Sequence, residues 1–228
     1  MSSGVPLRTT LPLWPLPFLA ALLPFVVSHL AWWLSIRDGL IPSCNPYWEG
    51  CVSISRAARH GLGNHLFRMV MLPCATIQAL CWLAAAMWLR QREYGRARVL
   101  PWLGLSAGVF LGTYATFLGT EGAVYQVLRR YGVFLYFGCS YIALLLVLHA
   151  LTRVQPRPRA CVPLLVVAWG FLAIGVTAVA LAYALAGSPS GDRWDNVLEW
   201  HVGLWLTAMF AVLAWCWWRD GLRVALLD

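Results

Sequence analysis

The feature that most constrains this chain is a series of six long apolar runs separated by short polar connections. Each run is close to the roughly 20 residues that a helix needs to cross the hydrocarbon core of a bilayer. A helix also satisfies its backbone polar groups within its own segment, as a membrane requires. The sequence therefore predicts an all-α polytopic membrane protein, a six-helix transmembrane bundle. The predicted spans are residues 11–36, 66–89, 99–119, 131–151, 161–186 and 197–218, and the predicted outer loop is 37–65.

Composition supports a membrane protein and predicts a single domain. Hydrophobic residues make up 61% of the 228 residues and charged residues only 11%, against roughly 45–50% and about 25% in a soluble domain. Six spans and short connections use almost the whole length, so residues 1–228 are expected to form one transmembrane domain. The first apolar run extends beyond a signal-peptide core to full span length, and we interpret it as an uncleaved helix.

The seventeen basic residues are all arginines, and they give the chain a net charge of +8. They form short clusters between the spans, a pattern typical of topology signals and lipid headgroup contacts, so we expect no nucleic-acid partner. Ten arginines in the connections on one side, against seven on the other, predict that both termini are cytoplasmic. Basic residues that are only arginines suggest a GC-rich genome, and we expect a bacterial inner-membrane protein.

The predicted outer loop contains two closely spaced cysteines, Cys44 and Cys51. An oxidising compartment would allow a disulfide between them, worth roughly 2.5 kcal/mol for so short a loop, although two free thiols are the alternative. A short helix beginning at Ser53 or Ser55 would follow, with the serine as its N-terminal cap. It would place Arg56, Arg59 and His60 on one face. Such a helix would either hold lipid phosphate or be merely a solvated connector.

Ionisable residues inside or just at the ends of the spans are candidates for catalysis, because such residues usually face the bundle interior. Glu199 lies about one turn from the outer surface, on a stripe with Asn196. A histidine can transfer protons near neutral pH, although a lone span histidine is more often a structural donor. His201 lies about 200° around the helix from Glu199, so the two cannot both face inward squarely. The candidate catalytic residues are His29, His65, Glu199 and His201.

Charged residues that the topology places at the outer face are candidates for binding a lipid headgroup. No Walker loop, HExxH motif, GxSxG elbow or Rossmann glycine pattern is present in the sequence. We expect no cofactor and no metal site, because neither the cysteine pair nor His29 with His201 has further ligands at suitable spacing. The candidate lipid-binding residues are Arg56, Arg59, His60, Arg68, Glu121, Arg129 and Arg130.

Several short motifs resemble those of the FRAG/DRAM/SFK family of membrane proteins. They are Ser53-Ile54-Ser55 after the cysteines, Phe67-Arg68 at the second span and Glu199-Trp200 at the last. The family includes proteins that act in the lipid remodelling of GPI anchors and the damage-regulated autophagy modulators, and the similarity in span pattern covers nearly the whole chain. The resemblance implies a six-span protein concerned with lipids on the lumenal or outer side. It supplies no catalytic mechanism.

Three functions are compatible with these features. In the first, the protein binds or remodels a phospholipid or glycolipid at the outer leaflet, with arginines at the phosphate and Glu199, His29 and Glu121 lining a polar floor. In the second, it is a non-catalytic scaffold or accessory subunit with a partner membrane subunit. In the third, it is an intramembrane lipid hydrolase or acyltransferase that uses histidine and Glu199. The sequence does not decide whether the protein is an enzyme.

Overall fold

A computed structural model of the protein describes residues 10–94 and 97–225. The fold is all-α, as predicted. Five of its helices, α1, α3, α5, α6 and α7, are long and apolar enough to cross a membrane, as expected of an integral membrane protein. The elements within the described ranges are β1 (Thr10–Pro12), α1 (Pro15–Arg37), α2 (Ile54–Ala57), α3 (Gly61–Gln91), α4 (Leu100–Phe117), α5 (Ala123–Thr152), α6 (Cys161–Ala184), α7 (Pro189–Arg219) and β2 (Arg223–Ala225).

Six of the helices form a closed ring. Helix α1 packs against α3 and α7, and the ring is completed by the pairs α3 with α4, α4 with α5, α5 with α6, and α6 with α7. Small residues allow close approach at one of these contacts: a Cβ atom on Gly104 of α4 would lie 2.4 Å from Cβ of Trp82 on α3. The short helix α2 contacts α1 and α7 at one end of the ring.

The two strands close the opposite end of the ring. They pair antiparallel, with Thr10 opposite Ala225 and Pro12 opposite Arg223, so both described ends of the chain lie at the same end of the bundle. The Trp88 Nε1 group donates a hydrogen bond to Oδ2 of Asp220 at 2.9 Å and ties α3 to the end of α7. We call this end the strand end, and the end that carries residues 38–60 the loop end.

Several helix boundaries differ from the predicted spans. Helix α5 begins at Ala123 and not at residue 131, and α7 begins at Pro189 and not at residue 197. Hydropathy detects only the apolar part of a helix, whereas polar contacts set where the helix begins: Oγ of Ser188 accepts from the Ser190 N–H at 3.2 Å, and Asp192 lies in the favourable first turn.

The predicted outer loop, residues 37–65, is also shorter than expected and partly helical. It contains α2, and it ends before Gly61, where α3 begins. Because α2 ends at Ala57, the prediction of one helical face carrying Arg56, Arg59 and His60 is wrong: Arg59 and His60 follow the helix. The first residues of the chain, 1–9, lie outside the described part.

Candidate functional site

The ring encloses a cavity in the half nearer the loop end. The cavity is small, with a volume of about 80 Å³, and part of it is open to the surface. Much of its wall is apolar, with side chains from α3, α4, α5 and α7. The main apolar lining residues are Phe67, Met71, Leu111, Val133, Phe137 and Leu206, and the polar ones are Ser28, His29, Tyr47, Tyr114, Tyr136, Glu199 and Thr207.

Residues 38–60 form a roof over this cavity. The predicted disulfide joins Cys44 to Cys51, with Cα atoms 6.6 Å apart. Of the two serines considered as caps, Ser53 caps α2, because its Oγ accepts from the Arg56 N–H at 3.1 Å. The underside of the roof packs against α7 in a small apolar cluster that contains the buried Val52 and Trp200. The roof is thus a folded unit rather than a solvated connector.

Polar side chains of α7 hold the roof in place. Arg193 donates to the carbonyl oxygens of Trp48 at 3.2 Å and Glu49 at 3.1 Å, and Asn196 donates to that of Gly50 at 2.8 Å. Trp200 donates through Nε1 to the Val52 carbonyl at 2.9 Å. These three side chains recur at helical spacing, so successive turns of α7 bind successive residues of the roof.

Gly50 is the position where the roof comes closest to α7. Its φ of +62° lies in the left-handed region, and a Cβ atom there would be 2.2 Å from the backbone oxygen of Arg193. A glycine is therefore required here both by its backbone conformation and by the close approach of the helix.

Glu199 connects the roof to the cavity. Its side chain is half-buried and lines the cavity, and Oε1 accepts a hydrogen bond from the backbone N–H of Ser55 at 3.0 Å. One of its carboxylate oxygens therefore anchors α2. The second carboxylate oxygen has acceptor capacity left for a ligand.

His29 lines the same cavity from α1, and both of its ring nitrogens are engaged. Nδ1 lies 2.7 Å from the Phe25 carbonyl oxygen and donates to it, so in the neutral ring Nε2 accepts from the Tyr47 hydroxyl at 2.9 Å. Burial raises the pKa of Tyr47, which keeps that hydroxyl protonated as a donor. The arrangement fixes the tautomer of His29 and links α1 to the roof.

Three arginines lie close together beside the cavity, and we call Arg56, Arg59 and Arg129 the arginine cluster. Burial, and then the positive charges of Arg129 and Arg56, lower the pKa of Arg59, while the charge of Glu199 acts in the opposite direction. The cluster therefore combines three cations with one nearby carboxylate. Such an excess of guanidinium groups suits an anionic ligand, because guanidinium groups bind phosphate and carboxylate oxygens in pairs.

The members of the cluster differ in how far their donors are already used. Arg129 donates to the carbonyl oxygens of Phe117 at 3.2 Å and Thr120 at 2.5 Å, at the end of α4. Nε of Arg59 is buried and has no hydrogen-bond partner in residues 10–94 and 97–225, and Arg56 is exposed. Arg59 is thus the member of the cluster with a buried donor that no described residue satisfies.

None of the predicted lipid-binding residues lines the cavity, the arginine cluster included, and neither does His65. His60, His65, Glu121 and Arg130 are exposed, and Arg68 is half-buried on α3. The structure therefore does not place Glu121 in the polar floor predicted for it.

His201 points away from the cavity. Its Nδ1 donates to the Val197 carbonyl at 2.8 Å, and its ring packs 6.1 Å from that of Trp48 in a groove between α6 and α7. Of the four candidate catalytic residues, only His29 and Glu199 share the cavity.

Sequence reasoning missed a polar pair deep in the ring. The Tyr136 hydroxyl donates to Oε1 of Gln78 at 2.6 Å, and Nε2 of Gln78 donates to the Ala20 carbonyl at 3.3 Å. Gln78 and Tyr136 are both buried, and Tyr136 lines the cavity. The available signal was a single amide inside the second apolar run, since polar residues in spans usually face other helices.

The site combines an apolar cavity, a fixed polar roof and a cluster of cations. An amphiphile with an acyl chain and an anionic headgroup would match all three features at once. Within the described ranges, no group of three or more His, Cys, Asp or Glu side chains is placed to hold a metal ion. No protein-family model matches this chain, and no curated protein or solved structure is significantly similar to it.

Proposed function

We propose that this protein binds a phospholipid or glycolipid at the outer leaflet, with an acyl chain in the cavity and the headgroup beside the arginine cluster. The observation that carries the proposal is the position of the arginine cluster, whose member Arg59 interacts electrostatically with Glu199 in the wall of the apolar cavity. A lipid tail gains little from moving out of an equally apolar bilayer. Affinity and selectivity would therefore come from the charge-assisted hydrogen bonds to the headgroup, each worth about 1.5–3 kcal/mol.

The proposed topology has six crossings, with both termini in the cytoplasm of a bacterium and the roof outside its inner membrane. Pairing of β1 with β2 supports an even number of crossings, because both described ends lie at one end of the bundle. Helix α4 would be the sixth: its 18 residues extend about 27 Å at 1.5 Å each, close to the roughly 30 Å of the hydrocarbon core. A roof disulfide is suited to an oxidising compartment.

The family resemblance supports the same proposal. Two of the motifs that carry it meet in space, since Ser55 of the first donates its N–H to Glu199 of the second. Trp200, next to Glu199, binds the Val52 carbonyl just before the first motif. Membership of the FRAG/DRAM/SFK family would place the protein among lipid-handling proteins.

Native mass spectrometry of the gently solubilised protein tests the proposal. We expect a bound anionic phospholipid in the wild type and at least about ten-fold weaker retention in the Arg56→Ala/Arg59→Ala double variant, because charge-assisted bonds are lost. Arg37→Ala is the matched control, since Arg37 lies at the same end and is paired with Asp38 at 2.9 Å. A protein without lipid, or equal retention in the double variant, would contradict the proposal. A stoichiometric partner subunit in place of lipid would favour the scaffold.

A second candidate, the lipid hydrolase or acyltransferase, is favoured by one observation: His29 and Glu199 line the same cavity. The neutral His29 ring would have to release the Tyr47 hydroxyl before Nε2 could accept a proton from a substrate or water. Turnover of acyl lipids that is abolished in His29→Gln and kept in His65→Gln would establish this activity. No turnover by the wild type would exclude it for the lipids tested.

A further inference from the structure

A second cleft lies at the strand end, between the last turns of α3 and the beginning of α4. Its volume is about 330 Å³, at the lower end of the range of about 300–1,000 Å³ for small-molecule sites. Part of its wall is one face of α3, whose residues recur at helical spacing, and the rest is the chain that leads into α4. The residues of this strand-end cleft include Leu83, Ala86, Met87, Arg90, Arg98 and Pro101.

The strand-end cleft is accessible from outside the bundle. Leu83 and Met87 line it and are 44% and 38% exposed, and its two arginines are exposed as well. The two apolar residues lie about two turns and one turn before Arg90 along α3. Trp102, in the first turn of α4, is 70% exposed, and tryptophan side chains favour the boundary between headgroups and acyl chains. We therefore expect the arginines at headgroup level and the apolar wall among the acyl chains.

The donors of the two arginines in the cleft are available to a ligand. Arg92, which lies between them in the sequence, is differently placed, because its guanidinium group donates to the backbone carbonyl oxygen of Asp220. Within residues 10–94 and 97–225, no hydrogen bond or ion pair engages the side chain of Arg90 or Arg98. Guanidinium groups bind phosphate oxygens in pairs, so two of them at one cleft suit a phosphate.

The charges around the strand-end cleft favour an anion. Residues 90–98 contain four arginines and one acidic residue, Glu93. Helix α4 begins beside the cleft at Leu100, and the partial positive charge of a helix N-terminus adds to that of the arginines. A zwitterionic phospholipid offers the same phosphate, but its ammonium group would lie among these arginines. An anionic headgroup is therefore preferred at this cleft.

We infer that the strand-end cleft binds one anionic phospholipid from the leaflet at that end of the protein, with its phosphate between Arg90 and Arg98 and an acyl chain against Leu83 and Met87. In the proposed topology this is the cytoplasmic leaflet, so the site is separate from the one beside the arginine cluster. The apolar wall positions the chain but adds little affinity, because the chain leaves an equally apolar bilayer. Affinity and selectivity come from charge-assisted hydrogen bonds to the headgroup.

Photocrosslinking in a membrane tests this site. The protein is reconstituted into phosphatidylethanolamine vesicles with a minor fraction of phosphatidylglycerol that carries a photoreactive diazirine in its acyl chain, and mass spectrometry locates the attached lipid. We expect attachment within residues 83–90, and at least about ten-fold less of it in the Arg90→Ala/Arg98→Ala double variant. Arg153→Ala/Arg157→Ala is the matched control, because both arginines are exposed at the same end, in the connection from α5 to α6.

A third variant separates a specific site from the general attraction of basic residues to an anionic surface. Met87→Trp fills the apolar part of the cleft and keeps both arginines, and Met87 is partly exposed, so misfolding is not expected. We expect attachment within residues 83–90 to fall by a similar factor. Wild-type attachment in Met87→Trp or in the double arginine variant, or an equal loss in the control, would overturn the site.

The class of lipid is tested with the same protein. Photoreactive phosphatidylethanolamine is expected to attach within residues 83–90 at least about ten-fold less than photoreactive phosphatidylglycerol. Equal attachment of the two lipids would overturn an anionic ligand. The Arg56→Ala/Arg59→Ala variant should keep wild-type attachment at the strand-end cleft, so failure of the proposed function and failure of this inference are distinguishable.

Discussion

The two halves of the ring are filled differently. Toward the strand end, large aromatic side chains occupy the interior: Trp82 packs 5.7 Å from Phe210, and Trp88 packs 6.3 Å from Trp217, between ring centroids. Toward the loop end, the same helices surround a cavity with polar groups at its rim. The difference shows that one helical ring can be filled by side chains in one half and keep a cavity in the other.

The largest expected loss of stability comes from removing a buried side chain in the half of the ring nearer the strand end, which we call the strand half. Trp88→Ala removes a fully buried ring and its bond to Asp220, and we expect a loss of about 3–5 kcal/mol in unfolding free energy. Thermal unfolding in detergent would show it as a lower midpoint. Trp102→Ala is the control, because Trp102 is 70% exposed. Equal midpoints for the two variants would show that the buried aromatic side chains of this half do not stabilise the fold.

The roof should depend on its disulfide more than on any single hydrogen bond. Replacing Cys44 and Cys51 by serine releases a short loop, with an expected loss of roughly 2.5 kcal/mol on the loop-entropy estimate. The rate of protease cleavage within residues 44–51 would measure how far the loop is released from its folded conformation. Cys139→Ser is the control, because Cys139 is a free cysteine on α5. Unchanged protection in the double variant would show that the contacts with α7 hold the roof without the disulfide.

Placing a leucine in each half of the ring tests directly whether one half is filled and the other is not. Ala85→Leu overpacks the strand half, where Ala85 has no exposed surface, at a cost of about 1–3 kcal/mol. Thr207→Leu enters the cavity, and the Thr207 hydroxyl bonds only within its own helix, to the Leu204 carbonyl. We expect a change within about 0.5 kcal/mol there, together with loss of bound lipid. Equal destabilisation by both substitutions would mean that the cavity has no room for a ligand.

The smallest expected effect concerns one contact between roof and helix. Asn196→Ala removes the hydrogen bond to the Gly50 carbonyl, and its net contribution is about 0.5–1.5 kcal/mol. Hydrogen exchange of the roof amides should rise modestly, while exchange at the strand end stays unchanged. A global rise in exchange would indicate that the roof and the strand half unfold together.

The sequence allowed the helices and the disulfide to be predicted because both depend on local signals. Apolar runs locate the helices, and the spacing of Cys44 and Cys51 identified the pair that the structure joins. The angle between Glu199 and His201 around α7 also predicted correctly that they would not face the same side.

Features that depend on contacts between distant segments could not be predicted. Pairing of β1 with β2 involves residues at opposite ends of the chain, and two three-residue strands carry almost no periodic signal. The bond from Tyr136 to Gln78 requires knowing which faces of α3 and α5 meet. Arg59 could be named as basic and near the outer face, but its burial depends on how the roof folds.

The most direct test of the central claim is a cryo-electron microscopy map of the protein in nanodiscs that contain phosphatidylglycerol. We predict a tubular density inside the cavity, between Met71 and Leu206, that continues to a headgroup density within hydrogen-bonding distance of Arg59. A cavity that is empty, or filled by the protein's own side chains while lipid densities lie only on the outer surface of the ring, would contradict lipid binding as the function of this site.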